Sequence, residues 1–529
     1  MTRNDGPQPE TDTGLGEAFR LLNPFRPLLF LKSLMVGVLT GLLVVAFRLC
    51  LHASTTWRHG VMNDLREAGW ETLLLWGAGV SAVGLVLGVA VRRWPFVRGS
   101  GIPQVKGVML RQLDIKWFPE IVVKFFGSLS AQALGMSLGR EGPGIQLGSF
   151  VGEGMLGFSR RPHLERKFLV SSGAAAGVAA AFNAPLAGVM FVLEEIHKTL
   201  SPLMLTCAMG ASVVANMVAG RFFGLQPAFH FELVDPLPLR FFPFILLLGV
   251  LIGFSGDLFK RLLYGAQSLY GYLRIPRVLR PVPPLLVSFF LGIHFFEVTG
   301  GGHEMIEALV DVDAPMHSLL MLLGMKVLLT VFCYGSGVPG GIFLPLLLMG
   351  ALIGHIFGLV LVEFGMIEPP RILNFMILGM AAQFTSIVGA PITGSVLILE
   401  LTGNLNHLSG LVGICMVSYA TVHMIKSRPV YDVLLEGMLT RNPDLRREDP
   451  RKAILEVPVQ AGSRLEHKTV KEIPWPAGTL VVGIRRGEEE KVPKGDTELQ
   501  FGDLLLILVS ESRAADTLPD LLEMGEEPG

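Results

Sequence analysis

Gly139-Arg140-Glu141-Gly142-Pro143 stands in an otherwise apolar stretch. Between Ile121 and Leu156 the only formal charges are Lys124, Arg140, Glu141 and Glu153. A carboxylate at membrane depth is costly, so it marks a function by default. Gly139 and Gly142 carry no side chain and let backbone come close to a ligand. Pro143 suits the first turn of a helix, where a missing N–H removes nothing. Glu141 is therefore expected at a helix start inside the membrane, where unpaired N–H groups and the positive dipole end attract anions. Ionised, it occupies that anion site itself; protonated, it has much less reason to stay. The pattern predicts a proton-dependent gate, with an arginine–glutamate pair capping a buried helix as the plainer alternative.

Composition sets the class. Half of the residues are apolar and the mean hydropathy is +0.52, as in a polytopic membrane protein. Glycine makes up 62 of 529 residues, about 12% against a usual 7%, which fits close helix packing and broken helices. A net charge of -1 suggests no nucleic-acid partner. Cys50, Cys207, Cys333 and Cys415 are scattered without metal-ligand spacing and read as packing residues. Residues 1–26 lack the apolar core and cleavage site of a signal peptide.

The apolar runs begin at about 27–51, interrupted by Lys32 and Arg48, and 72–91, which carries no charge. The basic cluster Arg92, Arg93 and Arg98 then leads into Gly99-Ser100-Gly101-Ile102-Pro103, which opens a segment too short to cross alone. Further segments at about 118–138, 142–158, 169–182, 184–196 and 200–220 include several below the roughly twenty residues of a straight span. Short, glycine-broken segments are the signature of half-helices that meet near the midplane. Runs at 240–270, 281–298, 316–334, 341–361, 370–388, 390–402 and 406–424 complete the set. Basic clusters at 92–98, 160–167, 274–280 and 426–428 mark cytoplasmic loops.

The chain repeats itself. Gly173, Ala184-Pro185, Gly188 and Glu194 return 206 residues later as Gly379, Ala390-Pro391, Gly394 and Glu400. Gly139, Pro143 and Gly148 return 202 residues later as Gly341, Pro345 and Gly350. Two like halves with broken helices are the build of a secondary transporter or a related channel. The second half lacks the acid, since Ile342-Phe343-Leu344 replaces Arg140-Glu141-Gly142. One half supplies a titratable gate and the other only backbone N–H groups. An odd number of spans per half makes the repeat inverted; the sequence leaves that number open.

Gly99-Ser100-Gly101-Ile102-Pro103, Gly139-Arg140-Glu141-Gly142-Pro143 and Gly341-Ile342-Phe343-Leu344-Pro345 resemble, in order and spacing, the three signature loops of the CLC chloride channel and transporter family. Asn183-Ala184-Pro185-Leu186-Ala187-Gly188 and Tyr431 add to a resemblance that covers about residues 20–440. It implies an all-α polytopic membrane protein, an inverted-repeat bundle of broken helices in the cell (inner or plasma) membrane, paired as a homodimer. The repeats fall at about 27–225 and 238–440, after a cytoplasmic segment at 1–26. Ser100 and Tyr431 are then expected to offer hydroxyls to a central chloride, neutral donors that suit an ion that must leave again. The N–H groups of Ile342 and Phe343 complete the shell, and Glu141 is the outer gate and proton carrier. Glu195 matches the inner proton-transfer glutamate that exchangers keep and channels typically lack. The plainer view of Glu194-Glu195 is a solvated helix end, with His197 and Lys198 following. Proton-coupled chloride antiport, two chlorides against one proton, is thus expected over a passive voltage- or pH-gated chloride channel. Ser100 favours chloride, where nitrate-preferring relatives have proline. Gly144 departs from the usual threonine or valine after Pro143. No enzyme activity, metal or cofactor is implied.

After Met438 the composition turns polar, and 441–529 holds a small soluble α/β domain, with strands and turns between Leu455 and Leu508. Val481–Arg486 and Leu504–Val509 carry strand patterns, Pro493-Lys494-Gly495-Asp496 a turn, and 511–529 a helix with an acidic tail. With Gly502-Asp503, the pattern resembles the TrkA-C (RCK_C) half of potassium-conductance regulators. That resemblance implies a cytoplasmic regulatory domain at 441–529, acting through dimerisation or a small nucleotide ligand such as a cyclic dinucleotide. A ligand-sensing membrane protein acting through this domain is the alternative from another class.

Overall fold

The structure is a computed structural model that describes residues 27–159, 161–199, 201–229, 231, 236–310, 314–441, 452–487 and 489–525. The segment 1–26, most of the linker after Arg441 and the last four residues of the acidic tail lie outside them. Residue contacts divide the chain into two compact units, one reaching to Thr440 without Leu110–Asp114, the other taking the remainder.

The first unit is a bundle of helices. Eight are long and apolar enough to cross a membrane, among the described residues. The helices that matter for the site are α1 (Pro27–Arg66), α2 (Ile102–Met109), α3 (Glu141–Gly154), α4 (Pro162–Phe182), α5 (Pro185–Phe191), α6 (Phe343–Glu363), α7 (Ile372–Val388), α8 (Pro391–Thr402) and α9 (Val430–Arg441). The apolar character is sorted by depth. Of Trp70–Arg93, only Val80, Gly84, Leu87 and Gly88 are buried, whereas every residue from Leu373 to Val388 is. Outer helices turn Leu74, Leu75, Val86 and Leu328 outward, as a lipid-facing surface requires. Inner helices are enclosed on all sides.

Glycine sets how closely the inner helices cross. A Cβ on Gly148 of α3 would lie 2.0 Å from the Gly173 carbonyl of α4, and one on Gly350 of α6 would lie 2.4 Å from the Gly379 carbonyl of α7. The two crossings are the same crossing in the two halves, so the spacing repeat in the sequence is a packing repeat. Gly144, the position that departs from the family pattern, belongs to it too: a Cβ on Gly177 would meet the Gly144 carbonyl at 2.3 Å.

The repeats are also stapled reciprocally. Glu400, in α8, accepts from the N–H groups of Leu186 at 3.0 Å and Ala187 at 2.7 Å, in the first turn of α5. Glu194 accepts from Ile392 at 3.1 Å and Thr393 at 2.7 Å, in the first turn of α8. Each half supplies the carboxylate that satisfies the orphan donors of the other. The proline that opens each helix, Pro185 or Pro391, removes one further donor at no cost.

The second unit holds an antiparallel sheet of β1 (Lys452–Pro458), β2 (Leu480–Arg486), β3 (Glu489–Lys491) and β4 (Leu504–Ser510) in the order β1-β4-β2-β3, with α10 (Glu511–Gly525) following. Val457, Ile484, Leu505, Ile507 and Leu521 meet in its core. Both strands read from the pattern are present; β1 is hard to see in the sequence because its charges, Lys452 and Glu456, mask the alternation. The Gly502-Asp503 turn is held by an ion pair in which Arg486 donates from Nε to Asp503 Oδ1 at 2.7 Å and from Nη2 to Oδ2 at 2.8 Å. Asp503 also accepts from the Gln500 N–H at 2.9 Å. Burial works against the charged carboxyl, but these donors outweigh it and hold Asp503 below the usual carboxylate range.

Two outcomes follow. Glu400→Ala leaves two first-turn amides of α5 without acceptors and should cost about 1–2 kcal/mol, read as a lower Tm of the detergent-solubilised protein. A depressed carboxylate stabilises the fold above its unfolded value, and that contribution is lost as pH falls through its folded value. Protection of the β2 and β4 amides against hydrogen exchange, corrected for intrinsic rates, should therefore fall on acidification below about pH 4, and Asp503→Asn should lower it at neutral pH.

Candidate functional site: three glycine loops and two buried carboxylates

The three loops meet. Gly139 donates its N–H to the Gly341 carbonyl at 2.7 Å, and Gly341 returns one to the Gly139 carbonyl at 2.9 Å. Gly340 donates to the Gly99 carbonyl at 2.9 Å. A Cβ on Gly142 would sit 2.9 Å from the Ser100 Cβ and 3.1 Å from the Gly341 Cα. Only glycine permits this approach, which brings the N-termini of α3 and α6 beside the Ser100 loop. First-turn N–H groups have no intrahelical acceptor, so two positive dipole ends share one small volume.

Glu141 is the first residue of α3 and is fully buried. Neither carboxyl oxygen has a well-formed hydrogen bond. One oxygen tucks over Gly139, where a Cβ would meet it at 2.3 Å, with the Leu344 N–H close to the same spot. Arg140 Nε is 3.9 Å from Oε1, too distant for a hydrogen bond. The carboxyl is thus packed among backbone dipoles, with the N–H groups of Glu141 and Leu344 acting on it.

Ile342 and Phe343 are fully buried where α6 begins. The Phe343 ring packs on Phe384 at 4.5 Å and Phe182 at 5.3 Å between centroids, which fixes the backbone on which its N–H is carried. Ser100 Oγ lies 3.4 Å from Tyr334 Oη. Tyr431, in the first turn of α9, is fully buried, and its hydroxyl has no partner among the described residues. It stands within electrostatic reach of Tyr334, Glu195 and Glu141. A buried phenol without a partner is expensive and suits a site that an anion fills. The bends that present these residues rest on Gly99 and Gly101, at φ of +61° and +89°. Pro103 and Pro345 fall within the first turns of α2 and α6.

Behind the Ser100 loop lies a support that the motifs do not reveal. Lys124 is fully buried and donates to the carbonyls of Val97 at 3.1 Å and Gly99 at 2.7 Å. Lys326, displaced by 202 residues, donates in the same way to Val298 at 3.0 Å and Gly300 at 2.7 Å. Each ammonium collects two loop carbonyls two residues apart. The shared displacement is the signal of it in the sequence.

This geometry has known counterparts. The family described as "Voltage gated chloride channel" matches residues 83–423, and the TrkA-C domain matches 454–521. The chain belongs to the CLC family of voltage gated chloride channels. It is 35% identical over 441 residues to the H(+)/Cl(-) exchange transporter ClcA of Vibrio vulnificus, covering 80% of this chain and 91% of that one. It is 33% identical over 428 residues to ClcA of Cronobacter sakazakii, covering 78% and 90%. The structure of a slow cyanobacterial Cl−/H+ antiporter superposes with a TM-score of 0.74 at 26% identity, covering 79% of this chain and 99% of that one.

In this CLC chain the second acid sits where α5 runs into a π-helical turn, Val192–His197. Such a turn widens the helix and is frequent at functional sites. Here it separates two adjacent carboxylates: Glu194 reaches across to α8 and Glu195 turns inward, with 2% exposure. The solvated-end view does not hold for Glu195; Lys106 of α2 donates to it at 2.7 Å.

Lys124→Met should loosen the Ser100 loop by leaving the buried Val97 carbonyl without a donor and the Gly99 carbonyl with the Gly340 N–H alone, a loss of about 1–3 kcal/mol. A lower Tm and weaker chloride binding by calorimetry are the measurements.

Proposed function

We propose that this CLC protein is a membrane antiporter that exchanges chloride for protons, with Glu141 as outer gate and proton carrier and Glu195 as inner proton-transfer residue. The observation that carries the reading is the Glu141 carboxyl, fully buried at a helix start among backbone donors and without a well-formed hydrogen bond. A chloride and an ionised carboxylate compete for the same positive pocket. Protonation removes the charge from Glu141 and with it the main reason to occupy that pocket. Ser100, Tyr431 and the N–H groups of Ile342 and Phe343 form the chloride shell, neutral donors that bind without trapping. Glu195, within electrostatic reach of Tyr431, hands protons to the gate by a route apart from the anion path. The names of the ClcA relatives support exchange rather than passive conduction.

The domain limits 27–440 and 441–529, the homodimer and a cytoplasmic place for the C-terminal domain belong to the same proposal. The TrkA-C match supports a regulatory role for residues 454–521, and a small nucleotide is the ligand class to test there.

Purified protein in liposomes, with chloride and proton followed together, tests the reading. A chloride gradient should drive proton uptake. Glu141→Gln and Glu195→Gln should each reduce proton movement by at least about tenfold while chloride flux persists. Chloride flux without proton uptake in the unaltered protein would make it a channel.

A further inference from the structure

Among the described residues, Glu195 has one ion-pair partner at contact distance, and that partner is shared. Lys106 Nζ lies 2.7 Å from Glu195 Oε1, and both side chains are at most 4% exposed. The same ammonium also contacts Oδ1 of Asp432, in the first turn of α9. Asp432 Oδ2 in turn meets Lys198 Nζ at 2.7 Å, and Lys198 is half-exposed, at 53%. Charges thus alternate from the surface inward: Lys198, Asp432, Lys106, Glu195. Other groups face this cluster: Arg428, within electrostatic reach of Asp432, is paired with Glu436 at 2.9 Å, and Tyr264 also lies within electrostatic reach of Asp432. His197 is 2.6 Å from Ser171 Oγ of α4, with Lys167 of the same helix nearby. Glu194 is committed to the amides of Ile392 and Thr393. Tyr431 is within electrostatic reach but carries no charge in its neutral form.

We propose that Lys106 is a positioning residue that sets the pH at which Glu195 takes up a proton, bridging both carboxylates when Glu195 is ionised and resting on Asp432 when Glu195 is neutral. The inference depends on the reading of Glu195 as the inner proton-transfer residue. Its logic is electrostatic. A proton arriving on Glu195 extinguishes the pair with Lys106, and a buried ammonium left without a counter-charge is strongly unfavourable. Asp432 removes that penalty. Because Lys106 already touches both carboxylates, the transfer requires only a change in side-chain torsions. Lys106 therefore opposes protonation of Glu195, and Asp432 favours it, both by sharing the ammonium and by its own negative charge. Lys198 holds Asp432 ionised from the solvent side. Lys106 also lies on the short helix that the Ser100 loop opens, so the residue that tunes the proton acceptor shares an element with the expected chloride ligand.

The test is the pH profile of chloride-driven proton uptake in liposomes. Lys106→Met should move the half-maximal pH alkaline by about one unit, a tenfold change in proton concentration. Asp432→Asn should move it acid by a similar amount, because the ammonium then belongs to Glu195 alone. Lys106→Arg, which keeps the charge, should restore the original profile. A purely structural role would lower the rate of each variant without moving the two profiles in opposite directions. Shifts in the same direction, or no shift in either, overturn the proposal. Should Lys106→Met fail to assemble, Asp432→Asn alters a partly exposed residue and decides alone: an acid shift supports the proposal and an unmoved profile overturns it. Glu195→Gln, measured alongside, separates the two readings. If it still moves protons, the assignment of Glu195 fails; if it abolishes them while the Lys106 and Asp432 profiles stay put, only the present inference fails.

Discussion

Everything in the transport unit depends on a pair of hydrogen bonds between glycines. Gly139 and Gly341 exchange N–H and carbonyl groups, a single antiparallel bridge in a bundle of helices. It ties the loop before α3 to the loop before α6 and so brings two helix N-termini together at one point. Each dipole end is a weak attraction for an anion, and two that converge reinforce one another at the proposed chloride site. The bridge is possible because Gly142 lets the Ser100 loop and Gly341 come within a distance that any side chain would forbid. The buried ammonium groups of Lys124 and Lys326 draw the carbonyls of Gly99 and Gly300 to themselves and so stabilise the bends in each half.

The symmetry of the repeats is structural and their chemistry is not. Glycine crossings, proline-led short helices, carboxylate staples and carbonyl-collecting lysines all occur twice. The buried acid, the proposed gate, occurs once, because Phe343 stands in the second half where the first has Glu141, and Leu344 where it has Gly142. The Leu344 N–H instead lies beside the carboxyl of Glu141. The second half thus lends its backbone donors to an acid that belongs to the first. On the proposed reading, such an arrangement puts one proton-sensitive gate in a scaffold built from two similar halves.

Much of this is legible in the sequence. Gly, Pro and Glu at fixed offsets announce the repeat, and an acid between glycines in an apolar run marks the buried carboxyl at the start of α3. What the sequence conceals is the pairing of distant positions. Lys106 looks like a loop-end cation beside the basic cluster at 92–98, and nothing local links it to Glu195 or Asp432. Tyr334 lies at the end of an ordinary apolar helix and meets Ser100 only through the folded chain. Lys326 is one cation in a span, and its meaning comes from its match with Lys124. Helix α9 is equally hard to see as an element, since its mixed composition carries no long apolar run, although Tyr431 in its first turn is fully buried. The first helix continues to Arg66, past the end of its apolar run, because its later turns carry polar residues.

The reciprocal staples constrain how such a protein can work. Glu194 is clamped to the opposite half, and its chain neighbour is the proposed proton acceptor, so the backbone at Glu195 is moored to the framework of both halves. Large swings of one half against the other would tear out these anchors in every turnover. If Glu141 and Glu195 act as proposed, the cycle falls to torsions of a few side chains inside this frame, and a machine of that kind has little leverage for rocking-type inhibitors but much sensitivity to whatever fills the small spaces through which a carboxyl group must turn.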